Sequence, residues 1–188
     1  MRLRYRRKKR KSDESGNTAR DSRPLTPDQI RQRTFDRAIK LLAARSRSVA
    51  ELRELLLQTR GTNKTTVDET LARLQEYGYI DDERFAFGYA SLKVRQRPIG
   101  RQRLKRDLVF KKVDGSTAEE ALDLVFSEVS EEELIDRAIE KRIRARGRPK
   151  NRAEAKSLFD YLLRQGFPFE LVSEKVRAAS QTDLGESE

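Results

Sequence analysis

Asp81, Asp82 and Glu83 stand in succession, and three neighbouring carboxylates can in isolation hold a Mg²⁺ ion. At the start of a helix the same residues have a simpler use. They accept hydrogen bonds from free backbone N–H groups and complement the positive end of the helix dipole, and this is the reading adopted. The chain contains no histidine and no cysteine. Imidazole and thiolate metal sites, disulfides, His-based acid–base catalysis and any Ser-His triad are therefore excluded. Gly61-Thr62-Asn63-Lys64 lacks the spacing of a phosphate-binding loop. No catalytic residue, metal or cofactor is expected, and the chain is read as something other than an enzyme.

The chemistry on offer is that of cations. Net charge is +11 over 188 residues, which points to a polyanionic partner. Met1–Lys11 holds eight Arg and Lys and no acid. Lys93–Lys112 carries a net +8 and Arg137–Arg152 a net +7, so the rest of the chain is acidic. Asp107 is too little to pair Arg95, Arg97, Arg101, Arg103, Lys105 and Arg106 locally. The second segment contains Arg144, Arg146, Arg148 and Lys150, and its Gly147-Arg148-Pro149-Lys150 turn resembles minor-groove-binding sequences. Phe87, Phe110 and Tyr161 fall off the clearest apolar stripes and are expected to pack between units, with base stacking as the alternative.

Helices must position these residues. Hydrophobic content is 36% and charged content 39%, too lean for one thick core and suited to layers of helices with narrow apolar stripes. Phe35, Ala38, Ile39 and Leu42 share one helix face. Ser48…Glu51, Thr66…Glu69, Ser116…Glu119, Ser130…Glu133 and Asn151…Glu154 all have the spacing of N-terminal capping boxes. Thr26-Pro27, Pro98 and Pro168 mark further helix starts, and Gly61, Gly78 and Gly166 mark ends. The pattern recurs about every 50 residues: Phe35 with Phe85, and Leu42 with Leu92 and Ile143. The expected fold is all-α, three tandem three-helix repeats in an elongated curved array. The expected divisions are a disordered basic arm (1–25), repeats at 26–79, 80–128 and 129–179, and a disordered acidic tail (180–188). The helices from Thr66 and Ser116 are acidic, which argues against their reading a major groove as recognition helices.

Gly78-Tyr79-Ile80-Asp81-Asp82-Glu83-Arg84-Phe85-Ala86, with Val67, Leu71 and Leu74 before it, resembles the signature of the RecX regulatory proteins. Ala43–Leu52 and Arg97–Arg101 resemble two further segments of that family, and the likeness spans about residues 34–179. The resemblance implies a cytoplasmic modulator of the RecA recombinase. Such a protein lodges in the groove of the RecA–DNA filament and restrains ATP hydrolysis, strand exchange and LexA co-cleavage, and so acts on DNA repair, recombination and the SOS response. It also implies that single- or double-stranded DNA can be a direct partner. It supplies no catalytic residue. The signature residues Gly78, Tyr79, Ile80, Asp81, Asp82, Arg84, Phe85 and Ala86 are expected to be structural. RecA or DNA contact is expected of Arg95, Arg97, Arg101, Arg103, Lys105, Arg106, Arg144, Arg146, Arg148 and Lys150. No run of apolar residues reaches membrane-spanning length, and a cytoplasmic monomer is expected. The competing expectation is a stand-alone DNA-binding protein that acts on recombination indirectly.

Overall fold

A computed structural model describes residues 25–181. Residues 1–24 and 182–188, which hold nearly all of the expected arm and tail, lie outside the described residues. Among the described residues there are nine α-helices and no strand. They are α1 (Pro27–Ala44), α2 (Val49–Leu57), α3 (Lys64–Glu76), α4 (Asp82–Gln96), α5 (Arg101–Phe110), α6 (Gly115–Glu128), α7 (Glu131–Arg146), α8 (Arg152–Gln165) and α9 (Phe169–Gln181). Helices α1–α3 pack on one another, as do α4–α6 and α7–α9, so the chain is a tandem array of three-helix repeats.

Local chemistry sets the helix ends. Thr26 and Gln29 form a reciprocal capping box before Pro27. Ser48, Ser130 and Asn151 cap α2, α7 and α8 as their spacing predicts. Three starts differ from the sequence reading. Asn63 caps α3 in place of Thr66, and Asp114 caps α6 in place of Ser116. In both cases an amide or carboxylate acceptor a little upstream takes the first free N–H groups and adds residues to the helix. Helix α5 starts at Arg101 behind Gly100, not at Pro98, and has no side-chain cap. Its N–H groups find acceptors elsewhere, as described below.

The apolar interior is in two parts. Ala38, Leu52, Leu56, Val67, Leu71, Leu74 and Ile80 form one cluster within the first repeat. The second cluster is continuous through the second and third repeats, from Phe85 to Val176, with Ile99, Leu104, Leu134, Ile135, Leu162 and Phe167 in it. At about 25 cal/mol per Å² of apolar surface, a shared core holds two repeats together far more strongly than a few polar contacts do.

Candidate functional site

Gly78–Ala86 is a joint between repeats. Gly78 has φ +68°, and its N–H and that of Tyr79 donate to the carbonyls of Gln75 and Leu74. This closes α3 with paired bonds that favour glycine at the left-handed position. Ile80 is buried in the first core, while Phe85 and Ala86 are buried in the second. The carboxylates divide their work. Asp81 accepts from Arg84 N–H at 3.0 Å and caps α4. Asp82 instead accepts from Val49 N–H, at 2.8 Å, and so satisfies the first turn of α2 in the neighbouring repeat. Burial raises the Asp82 pKa, the Val49 N–H opposes that, and the charge of Asp81 adds to it. Tyr79 and Arg84 are exposed.

The rest of this joint is also polar. Ser48, fully buried, accepts from Glu51 N–H and donates its hydroxyl to the carbonyl of Lys111. Lys111 Nζ lies 3.0 Å from Glu51, and Lys112 pairs with Glu54. Lys112 has φ +60°, ending α5 in the left-handed conformation usually left to glycine. Its N–H and that of Val113 donate to Val109 and Leu108, so the sequence places a lysine where the other helix ends use Gly78 and Gly166.

The expected contact cations on α5 are largely engaged within the protein. Arg101 donates to Glu119 at 2.7 Å and to Asp123 at 2.6 Å, and its backbone N–H donates to Glu131 at 2.9 Å. Burial alone would lower the Arg101 pKa, but the bonds to Glu119 and Asp123 more than offset it, and the net direction is upward. Lys105 also pairs with Glu119, whose pKa these two cations lower. Arg103 donates to the Gln165 side chain at 3.0 Å. Gly100 and Gln102 N–H donate to the carbonyls of Gln165 and Gly166, so the start of α5 is capped by the end of α8. Arg97 is half-buried, with its Nε enclosed and unpaired. Arg95 and Arg106 are exposed, without an ion pair among the described residues.

The second group is arranged differently. Arg144, Arg146, Arg148 and Lys150 are all exposed, and among the described residues none forms an ion pair. They run from the last turn of α7, where Arg144 and Arg146 complement the negative end of the helix dipole, into the loop before α8. Gly147, φ +80°, turns the chain out of α7 while its N–H donates to Ile143. Pro149 is buried, and Glu154 accepts from Lys150 N–H at 2.7 Å, so the far end of the loop is also fixed. A cleft of about 250 Å³ lies between the loop and the helices, with Arg142, Arg146, Arg148 and Leu158 in its walls. Arg142 bonds Ser157 and lies over the Tyr161 ring.

Of the three aromatics expected to pack between units, Tyr161 is half-buried against the shared core. Phe87 and Phe110 are exposed, Phe110 to 80%. Sequence reasoning missed a further basic groove. Arg33, Arg37 and Lys40 of α1 line it opposite Leu55 and Gln58 of α2. Their spacing along one helix face was visible, but Asp28 and Asp36 hide them in a charge count taken by segment.

The protein named Regulatory protein RecX from Chlorobium limicola is 32% identical over 146 residues, covering 77% of this chain and 88% of the relative. The chain belongs to the RecX family. Regulatory protein RecX from Treponema pallidum is 39% identical over 110 residues, 58% of this chain and 66% of that protein's length. The family model for the second three-helix domain of RecX matches residues 81–122, which begin at the cap of α4 and end in α6. The crystal structure of RecX from Lactobacillus salivarius superposes with a TM-score of 0.70 at 20% identity, covering 84% of this chain and 99% of that one. That likeness extends the RecX fold across all three repeats. Among the described residues of this RecX chain, no helix is long and apolar enough to cross a membrane.

Proposed function

We propose that this chain is a non-enzymatic cytoplasmic modulator, in the main an inhibitor, of RecA filaments, acting as a monomer and without cofactor. It lies in the groove of the RecA–DNA filament and restrains ATP hydrolysis, strand exchange and co-protease activity in DNA repair and the SOS response. It works by occupancy: a surface of fixed positive charge bridges successive filament subunits and blocks their movement. The observation that carries this reading, beside membership of a regulatory family, is the row of unpaired cations from Arg144 to Lys150. Charges already paired inside a protein add little to a partner, whereas exposed unpaired ones steer association with a polyanion. Arg95 and Arg106 belong with them on the same argument.

A second reading, a DNA-binding protein that competes with RecA for DNA, is favoured by the same unpaired cations and by the basic sequence of Met1–Lys11. Deleting Met1–Lys11 separates the two. ATP hydrolysis by preformed RecA–single-stranded DNA filaments is measured against increasing protein at two salt concentrations. A groove binder keeps most of its inhibition without the arm. A DNA competitor loses most of it, and its inhibition falls steeply with salt.

A further inference from the structure

From Arg144 to Arg152 a cation stands at every second position, alternating with Ala145, Gly147, Pro149 and Asn151, and no acid interrupts the run. We propose that the centre of this run, Arg146-Gly147-Arg148-Pro149-Lys150, reads the minor groove of A·T-rich duplex DNA. The proposal deepens the reading of this surface as one that faces nucleic acid, and rests on it.

Three observations carry it. The first is shape. The minor groove is about 6 Å wide, and narrower in A·T runs, so it admits a thin extended chain but not a helix. Helix α7 ends at Arg146 and Pro149 is buried, so it is the exposed side chains of Arg146 and Arg148 and the bare backbone at Gly147 that face outward toward a groove. Gly147 is held at φ +80° with ψ 171°, a backbone conformation that only glycine adopts without strain. The absence of a side chain leaves the backbone free to approach a groove floor. The second is charge. Arg146, Arg148 and Lys150 are exposed and unpaired among the described residues, and narrow A·T grooves concentrate the negative potential that draws arginine in. The third is anchorage. Gly147 N–H is bonded to Ile143 at one end. At the other end Pro149 is buried and Lys150 N–H is bonded to Glu154. The loop is thus presented in one shape, which lowers the ordering cost of insertion.

The specificity follows from the groove. A G·C pair places the guanine N2 amino group on the floor, where it obstructs a deeply seated arginine, and an A·T pair does not. Discrimination is therefore against one donor group, not for a sequence.

The test uses the full chain, with no RecA present, and three labelled duplexes of equal length whose central run is A·T, G·C or inosine·cytosine. Inosine lacks the N2 amino group, so its minor groove is like that of A·T while its major groove is like that of G·C. The parent chain is expected to bind the A·T and inosine duplexes about tenfold more tightly than the G·C duplex. Arg146→Ala and Arg148→Ala should each remove most of that preference while leaving weak, salt-dependent binding to all three. Their circular dichroism should match the parent, since both arginines are exposed. Equal affinity for the three duplexes overturns the proposal. So does an inosine duplex that behaves as G·C, which would place the contact in the major groove, and so does a preference that survives both arginine changes. A chain that binds RecA–DNA filaments but no free duplex also overturns it, and leaves the regulatory reading standing.

Discussion

Two segments of this chain have nearly the same charge density, and the fold uses them in opposite ways. On α5, Arg101, Arg103 and Lys105 face Glu119, Asp123 and Gln165, and the start of the helix is capped by the end of α8. From α7 to α8, Arg144, Arg146, Arg148 and Lys150 face solvent. Net charge by segment therefore says how many cations there are, and the packing of acidic helices against them decides which remain available. The side chains of Arg101 and Lys105 tie α5 to α6 within the second repeat, and Arg103 reaches Gln165 of the third. The second set is left for a partner.

The strongest way to test this division is to break the joint behind α5. A Cβ on Gly166 would overlap the backbone of Arg103, 2.9 Å from its Cα, and Gly166 itself sits at φ +91°. Gly166→Ala should cost roughly 4 kcal/mol, from overpacking together with the left-handed backbone, and urea unfolding should show it. Arg101→Glu comes next. It sets a new negative charge beside half-exposed Glu119 and exposed Asp123, and should cost roughly 1–2 kcal/mol. If Arg101→Glu leaves the unfolding midpoint unchanged, α5 is not a structural cation set and the comparison fails.

Smaller effects sharpen the picture. Lys112→Gly relieves a left-handed lysine at the loss of an exposed ion pair with Glu54, so a net gain of up to about 1 kcal/mol is expected. A loss of stability instead would mean that the Lys112–Glu54 pair matters more to the joint between the first two repeats than its exposure suggests. Glu131 gives a pH signature. Burial raises its pKa in the folded chain, against the opposing Arg101 N–H and guanidinium. The folded chain then binds a proton more readily than the unfolded one. Stability from this group is complete below the unfolded carboxylate range and is lost as pH rises through the raised value. Glu131→Gln, uncharged throughout, should be more stable than the parent at pH 7 and no more stable below about pH 4. A constant difference across that range would remove burial as the cause.

Much of the fold was legible because it is locally encoded. The 50-residue recurrence, the Ser48, Ser130 and Asn151 caps and the Gly78 helix end all follow from side chains and backbone within a few residues. What the sequence concealed is long-range. Asp82 looked like a cap for its own helix and instead serves Val49 of the preceding repeat. The bare N-terminus of α5 looked as if Pro98 would open it, but its acceptors are distant, Glu131 thirty residues on and Gln165 and Gly166 more than 60. Arg101, Arg103 and Lys105 read as free cations because their partners are also distant in sequence: Glu119 for Arg101 and Lys105, and the Gln165 amide for Arg103. In the Arg144–Lys150 run, by contrast, exposure matches the local sequence: no acid lies within the run, and the nearby Glu154 spends its carboxylate on the Lys150 backbone N–H and the Asn151 side-chain amide, not on a cation of the run.

The most direct test of the account reverses that run alone. Arg144, Arg146, Arg148 and Lys150 are changed together to Glu, and ATP hydrolysis by preformed RecA–single-stranded DNA filaments is followed beside thermal unfolding of the variant. The account predicts a folded protein, within about 1 kcal/mol of the parent in stability, that no longer restrains hydrolysis. A folded variant that inhibits as well as the parent would contradict it.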